Sequence, residues 1–569
     1  MLGGLLAALG GVVMTIPPAV AQEEVVGGAG TDGDVVNLLP NPGFETGTTA
    51  GWFTTGAPGF DPTTADAQDG QYSAFVSRRL ESWQGPAIDL LPMVQPDRGY
   101  RFSVYVRTLD TLNQDVQLTL FRQQGIGTWT ELDRVRFEDF GWERLTGIVS
   151  LPPGSLPDAL YVYLQGPAPG VDFFVDEASF IELPHWRADA DERIERLRKR
   201  TVRVNVIDAQ GTPQTDVLVN VEQERHRFGF GSAIRDEILS NVPYRQFFLE
   251  NFEWAVPENE LKWKFNEPSQ GSVSYAEADA MLLFCRNNRI PVRGHNIFWA
   301  TVPGNASWLL GLPTPFFQLA TEQRINDVVT RYKGELAHWD VNNEMLHGSV
   351  FTDRLGGGIR TWMFQEARAL DSGAKLFVND YDVIAGDDTD EYIEQIGQLL
   401  ISGAPIDGIG VQGHFIDQLD PYILRSKLDM LLRPGLPIWV TEFDINEPND
   451  SRRAEMLERF YRTAFSHVGV EGIVMWGFWE GAHWRPNAAI VDLNWNVNEA
   501  GQRYLSLMNE WTTQAASRTN ASGWMAFRGF LGTYTVTLTA PGGVSETHTV
   551  QIDPGPGTFS TSLVLGTGN

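Results

Sequence analysis

The sequence predicts a multidomain protein: a (β/α)8 TIM barrel, an N-terminal β-sandwich of jelly-roll type, and a small split β-sandwich flanking the barrel. Three observations carry this expectation. Between residues 228 and 512, eight segments that begin apolar and end polar alternate with helical stretches, the size and rhythm of a closed parallel barrel. From Asn37 to about Leu183, short runs alternate apolar and polar residues between Gly, Pro and Asp, without a helical period. Strand-like runs at 201–227 and 518–566 are too few at either end to bury a core alone, so they are expected to pair with each other.

Each element has its own justification, in chain order. Met1 to Ala21 is apolar, rich in small residues and ends A-V-A before Gln22, so a signal peptide and a secreted, extracellular protein are expected. Residues 22–36 read as a Gly-rich linker. The sandwich at 37–183 contains Y-R-F-S-V-Y-V-R, D-V-Q-L-T-L-F and A-L-Y-V-Y-L, alternating with period two. Residues 187–200 (R-A-D-A-D-E-R-I-E-R-L-R-K-R) predict a charged linker helix between domains. The barrel, 228–515, takes its strands from F-G-F-G-S-A-I, W-A-V-P-E-N, I-P-V-R-G-H-N-I, H-W-D-V-N-N-E, K-L-F-V-N-D-Y, G-I-G-V-Q-G-H, P-I-W-V-T-E-F-D and G-I-V-M-W-G-F-W.

Composition narrows the partners. The 569 residues are 42 % hydrophobic and 20 % charged, which is ordinary for globular domains. A formal net charge of -29 argues against nucleic acid or an anionic membrane, because phosphates would repel it. A neutral or a cationic substrate fits this charge better, solubility alone is the other reading of it, and a monomer is expected. The single cysteine, Cys285, lies in an apolar helical stretch and reads as a buried structural thiol.

In a barrel of this kind, polar residues at the carboxyl ends of strands line the functional mouth. Those ends hold Glu258, Asn259, Lys262, His295, Trp299, Asn343, Glu344, Asn379, Tyr381, Gln412, His414, Glu442, Trp476 and Trp484. No His/Cys/carboxylate group has metal-ligand spacing, and neither a phosphate loop nor a serine nucleophile elbow is present, so no catalytic metal or cofactor is expected. Amides and carboxylates that bind hydroxyls, with indole faces for pyranose rings, suit a sugar cleft. Two carboxylates from two strands then suit a glycosidase, with one protonated and one ionised. Alternatives stand beside this: His295 and His414 as core histidines, Trp476 and Trp484 as barrel packing, and Glu258 and Lys262 as structural ion-pair residues.

The motifs P-E-N-E-L-K-W-K-F-N-E-P-S-Q-G, V-R-G-H-N-I-F-W, W-D-V-N-N-E, V-N-D-Y, G-V-Q-G-H, W-V-T-E-F-D-I and M-W-G-F-W-E-G-A-H-W resemble, in order, those of glycoside hydrolase family 10, the β-1,4-xylanases. The resemblance implies an endo-β-1,4-xylanase acting on xylan or a related plant polysaccharide, with Glu344 as acid/base and Glu442 as nucleophile. It implies Asn343, Gln412 and His414 around the reacting sugar, with His295, Trp299, Trp476 and Trp484 as walls. Glu258, Asn259 and Lys262 would hold the next sugar on the non-reducing side. Tyr381 joins the substrate-binding set. Asn342, Ala300, Trp479 and Glu480 depart from the family pattern, which bears on chain-length and side-chain tolerance. An endoglucanase of the same mechanism and a non-catalytic polysaccharide-binding protein remain the alternatives.

The N-terminal motifs N-L-L-P-N-P-G-F-E, D-G-Q-Y-S-A-F-V-S-R-R, S-W-Q-G-P-A-I-D-L and F-F-V-D-E-A-S-F resemble carbohydrate-binding modules of families 4, 9 and 22. That resemblance implies Trp83 as a sugar-stacking residue, unless it is sandwich core, with Arg78, Gln84 and Tyr105 beside it. It also implies a structural Ca2+ near Glu45 and Asp176.

Overall fold

The computed structural model describes residues 36–109, 111–416 and 419–566. The expected signal peptide and nearly all of the linker lie outside them. The chain divides into two compact units, 1–189 and 190–569.

In the first unit, two five-stranded antiparallel sheets face each other. One runs Phe53–Thr55, Gly85–Asp89, Ala159–Gln165, Asp115–Gln124, Ile126–Arg136; the other runs Gly59–Thr63, Ser73–Ser77, Phe173–Glu182, Arg98–Thr108, Glu143–Leu151. Alternation decides which side chains go inside. Val116, Leu118, Leu120, Leu160, Val162 and Leu164 of one sheet meet Tyr100, Phe102, Val104 and Val106 of the other in one core.

In the second unit the barrel strands are β1 (Gly229–Ile234), β2 (Trp254–Pro257), β3 (Arg293–Trp299), β4 (His338–Asn343), β5 (Lys375–Asp380), β6 (Gly408–Phe415), β7 (Ile438–Ile445) and β8 (Val470–Met475). They form one parallel sheet, and an Ala255–Val292 bridge joins β2 to β3 and closes it. The ends where the strands begin are plugged by Trp254, Phe377 and Trp439, with the buried Arg293 guanidinium over Phe377. A Cβ on Gly229 or Gly472 would overlap the Trp439 ring, so that end is filled and the polar residues collect at the other.

Strands from both sides of the barrel build the small sandwich. Lys199–Ile207 pairs with Trp524–Phe530 and Phe559–Val564 in one sheet; Leu218–His226 pairs with Gln514–Arg518 and Gly532–Thr539, and Ser545–Ile552 forms the edge, in the other. Val202, Val204, Val219, Val221, Val536 and Leu538 fill the space between them. The strand Gln514–Arg518 begins before the expected boundary at 518.

The expected linker helix needs correction. It spans Trp186–Leu197, and residues 199–200 already belong to a strand. Its second half is bolted to the second unit: Ile194 enters the barrel core, Arg193 donates to Ser466 Oγ (2.8 Å), and the Arg198 guanidinium donates to the carbonyls of Phe465, His467 and Val470. Two of the arginines that suggested a solvated spacer bind the end of the neighbouring helix, Asp450–Ser466, and the turn after it.

Candidate active site

Two carboxylates organise the open end of the barrel. Glu442 is held in the middle of β7, opposite Gln412 of β6. Glu344 follows the last residue of β4 at φ +60°, where non-glycine residues are uncommon, and its amide is tied to the Asn379 carbonyl (2.8 Å). That turn lifts the side chain out of the strand. The loop beyond it packs closely on the loop after β3: a Cβ on Gly348 would overlap the Ala300 carbonyl, and Ala300 donates its amide to Asn343 O. The Ala300 side chain is itself buried in the barrel core, which gives a small residue there a structural reason.

The two groups have different partners. Glu442 Oε1 accepts from Asn379 Nδ2 (2.8 Å) and lies 3.9 Å from His295 Nδ1, while Oε2 lies 3.3 Å from His414 Nε2. Burial alone would raise its pKa, but His295, His414 and Lys262 outweigh burial and hold it at about 2. Glu344 accepts from Trp299 Nε1 (2.5 Å) and Gln412 Nε2 (3.2 Å). Burial raises its pKa above the ordinary range, and the charge of Glu442 raises it further against those two hydrogen bonds. The pair therefore has one carboxyl suited to carry a proton and one suited to stay ionised.

Neighbouring residues fix these groups. Asn379 Nδ2 also donates to Asn343 Oδ1 (2.8 Å), and its own oxygen accepts from Thr441 Oγ1, so one buried amide aligns three strands. His414 Nδ1 lies 3.0 Å from Asp444 Oδ2, and Asp444 also accepts from Trp484 Nε1 (2.7 Å) and Arg485 (3.1 Å). Burial would lower His414, but Asp444 and Glu442 raise it to about 9, making it an imidazolium at neutral pH. His295 is turned by Asp340 (3.0 Å), which Arg293 anchors from the plugged end.

The remaining barrel candidates fall into separate groups. Lys262 Nζ donates to Asn259 Oδ1 (3.2 Å), and Asn259 donates to Glu258 (3.3 Å). Lys262 lies 5.0 Å from the Trp299 ring and 5.8 Å from Trp476, whose indole meets His295 edge-on. Trp476 is 5 % exposed and belongs to the packed wall, whereas Trp484 is 48 % exposed with its ring beside His414. Tyr381 stacks on His347 at 3.8 Å, and that imidazole bridges Asp380 and Asp388. Trp479 stacks on Trp495, and Glu480 caps the Leu493 amide, so both serve the loop after β8.

Asp340, His347, Asp444 and Arg485 are parts of this arrangement that the strand-end reading missed. Asp444 had a signal: it stands two residues beyond Glu442 on one strand, on the same face. His347 and Arg485 lie in loops, where spacing carries no such information. Cys285 is fully buried, and burial pushes its thiol up to about 12.

In the N-terminal unit Arg78, Trp83 and Gln84 share the loop between the strands Ser73–Ser77 and Gly85–Asp89, and Tyr105 is on the strand Arg98–Thr108. Trp83 is 47 % exposed in the loop before Gly85–Asp89; the Gln84 side-chain oxygen accepts from the amides of Leu80 and Glu81; exposed Arg78 pairs with Asp61 at 3.6 Å. Tyr105 is on the other sheet, under Arg144. The aromatic surface is elsewhere: Phe53, Phe121, Trp129, Tyr161 and Tyr163 contact one another across the outer face of the first sheet. Beside them Gln165 Nε2 donates to Tyr163 Oη and Thr119 Oγ1, both 2.8 Å. Pairing brings Phe121 level with both Trp129 and Tyr161; the outward positions of F-R-Q and L-Y-V-Y-L-Q were its sequence signal.

Comparison with known proteins agrees with this architecture. Residues 220–506 match the model of "Glycosyl hydrolase family 10", and residues 36–170 match "Carbohydrate binding domain". The chain is 46 % identical over 378 residues to anti-sigma-I factor RsgI6 of Acetivibrio thermocellus, covering 66 % of this chain and 50 % of that protein. It is 36 % identical over 547 residues to endo-1,4-beta-xylanase 1 of Arabidopsis thaliana, covering 91 % of this chain and 57 % of that protein. It is 36 % identical over 546 residues to endo-1,4-beta-xylanase 3 of the same plant, covering 90 % and 71 %. The chain spans about half the length of the first of these relatives. On its matched barrel and its relatives, the chain belongs to glycosyl hydrolase family 10.

Proposed function

We propose that this chain is a secreted, retaining endo-β-1,4-xylanase. Glu344 protonates the leaving oxygen and later takes a proton from water; Glu442 attacks the anomeric carbon and forms the glycosyl-enzyme. The observation that carries this reading is the opposed protonation of two carboxylates at one barrel mouth: Glu442 held down by His295, His414 and Lys262, Glu344 pushed up by burial and by Glu442. Asn343, Gln412, His414, His295, Trp299, Trp476 and Trp484 surround the reacting sugar, Glu258, Asn259 and Lys262 take the next one, and Tyr381 serves the substrate cleft. Proton NMR of the first product tests the stereochemistry. A β-anomer formed initially is expected, and an α-anomer would overturn double displacement.

Two other readings have tests. A glucanase of the same mechanism would show higher kcat/KM on carboxymethyl-cellulose than on xylan. The other reading is a polysaccharide-binding protein without turnover. Xylan binding with no release of reducing ends would select it.

The outer aromatic face of the N-terminal sandwich serves, in this proposal, as its polysaccharide surface, raising the local concentration of wall substrate. A Ca2+ ion would fit the loop near Glu45 and Asp176. There Asp176 accepts from the amides of Gln68 and Glu177, and burial, then the charges of Asp69 and Glu45, raise Glu177. An ion at these like charges would pin the loop, and a fall in melting temperature with EDTA tests it. Export rests on the Met1–Ala21 pattern and is tested by N-terminal sequencing of the mature protein. The monomer is tested by light scattering.

A further inference from the structure

One buried carboxylate fastens the loop that carries Glu344 to β5. Asp380, the last residue of β5, is fully buried. One of its oxygens accepts from the Leu346 amide (2.7 Å); the other meets His347 Nδ1 (2.7 Å) and accepts from the Tyr381 amide (3.1 Å). Glu344 stands two residues before Leu346, and its own amide is held by the Asn379 carbonyl. From the helix Gly358–Leu370, Arg360 donates to the carbonyls of Met345 (2.6 Å) and Gly348 (3.1 Å) in the same loop.

His347 joins this loop to the next one. Its Nδ1 meets Asp380 and its Nε2 meets Asp388 Oδ2 (3.0 Å), while Asp382 brings a third carboxylate within 4.8 Å. A neutral imidazole has one N–H and can donate to one carboxylate only, so two such partners call for both nitrogens protonated. Its pKa is accordingly raised to about 9, by Asp380 first, against burial and with help from Asp388. The same ring lies flat on Tyr381, with 3.8 Å between centroids and 16° between planes. A planar cation held at both edges and stacked on a phenol fixes the tilt of that phenol. Tyr381 follows β5, the strand beside β4 and Glu344 and two strands from β7 and Glu442.

We infer that His347 is a positioning residue for glycoside cleavage: a doubly protonated imidazolium that holds the Glu344 loop, through Asp380, and the Tyr381 ring in one arrangement, so that the departing sugar meets both together. This rests on the xylanase reading and deepens it. The imidazolium touches neither the reacting atoms nor Glu344; it acts through the buried carboxylate and the stacked ring.

The test compares His347→Phe and His347→Arg with the wild type on two substrates: a xylo-oligosaccharide, whose leaving group is a sugar that needs a proton, and an aryl xylobioside, whose leaving group is neither. Phe keeps the stack and removes both carboxylate bonds; Arg is a planar cation that can stack and reach both carboxylates. In Phe, kcat/KM on the oligosaccharide is expected to fall about tenfold, within the roughly 100-fold that a misplacement of about 1 Å can cost, and to change less than about twofold on the aryl xylobioside. Arg should recover most of the loss. An equal loss on both substrates would mean general loosening of the barrel and overturns the inference, as does an unchanged oligosaccharide value in Phe. Nitrogen-15 NMR of the wild-type His347 ring at pH 7 tests the inference without a variant: both nitrogens protonated is expected, and a neutral ring overturns it. No cleavage of either substrate by the wild type overturns the xylanase reading, and this one with it.

Discussion

The barrel mouth and the outer face of the N-terminal sandwich, the two surfaces proposed to meet sugar, are built on opposite principles. At the mouth, the polar groups are buried and interlocked: Asn379 alone ties Asn343, Glu442 and Thr441. Burial and neighbouring charges set each carboxyl there. On the sandwich, Phe53, Trp129 and Tyr161 are displayed on strands whose other faces carry the core, and polarity is limited to flanking amides such as Gln165. The lesson is that catalysis needs buried charge held in a fixed protonation state, which only a network can supply. Binding a neutral polymer needs flat apolar area, which alternation along a strand provides at little cost.

The sharpest break of this contrast is at Glu442. Glu442→Ala should lower turnover on every substrate, on the order of 10^5-fold, as removal of a nucleophile does in other hydrolases; residual activity near wild type would remove it from the mechanism. Glu344→Ala should cost about 10^2–10^4-fold on xylan, the usual worth of general acid catalysis. It should cost far less on aryl glycosides with good leaving groups, and an equal loss on both would contradict proton donation.

On the sandwich the effects should be smaller and confined to insoluble substrate. Tyr161→Ala combined with Trp129→Ala in the full chain should weaken binding to insoluble xylan by about tenfold, with hydrolysis of soluble oligosaccharides unchanged. Trp83→Ala should weaken it less, because Trp83 stands in a loop outside the aromatic cluster. A reversed order would return the binding surface to the Trp83 loop.

The smallest effect concerns pH. His414 is raised from its ordinary 6.5 to about 9 in the folded protein, so its contribution to stability is fully present below about pH 6.5 and is lost as pH rises through 9. His414→Gln should flatten the decline of melting temperature between those limits. An unaltered slope would mean that the imidazolium does not hold Glu442 and Asp444 together.

Much of this was legible in the chain because strand ends are local. Asn343 ends β4 and Glu344 follows it, while Gln412, His414 and Glu442 are polar positions in the later halves of β6 and β7, and a parallel barrel brings such positions to one rim. The eight strands could be read because a strand buried on both faces must be apolar where the barrel is packed. Residues whose role comes from a loop or from another strand were not legible. Asp340 reaches His295 from the next strand, and His347 meets Tyr381 from a loop. The helix at Trp186–Leu197 looked like a solvated spacer because the helix end that binds its arginines lies some 270 residues away, at |i−j| = 273 for Arg193 and Ser466.

By itself, then, the sequence determined the order of domains, the barrel with its split companion, and the residue types at the mouth, because hydrophobic period and turn chemistry act over a few residues. Tertiary structure alone decided which charges surround each carboxyl of the mouth and which aromatic residues form a surface. Those properties depend on distance, burial and the field of groups far apart along the chain, and they exist only once the strands are side by side.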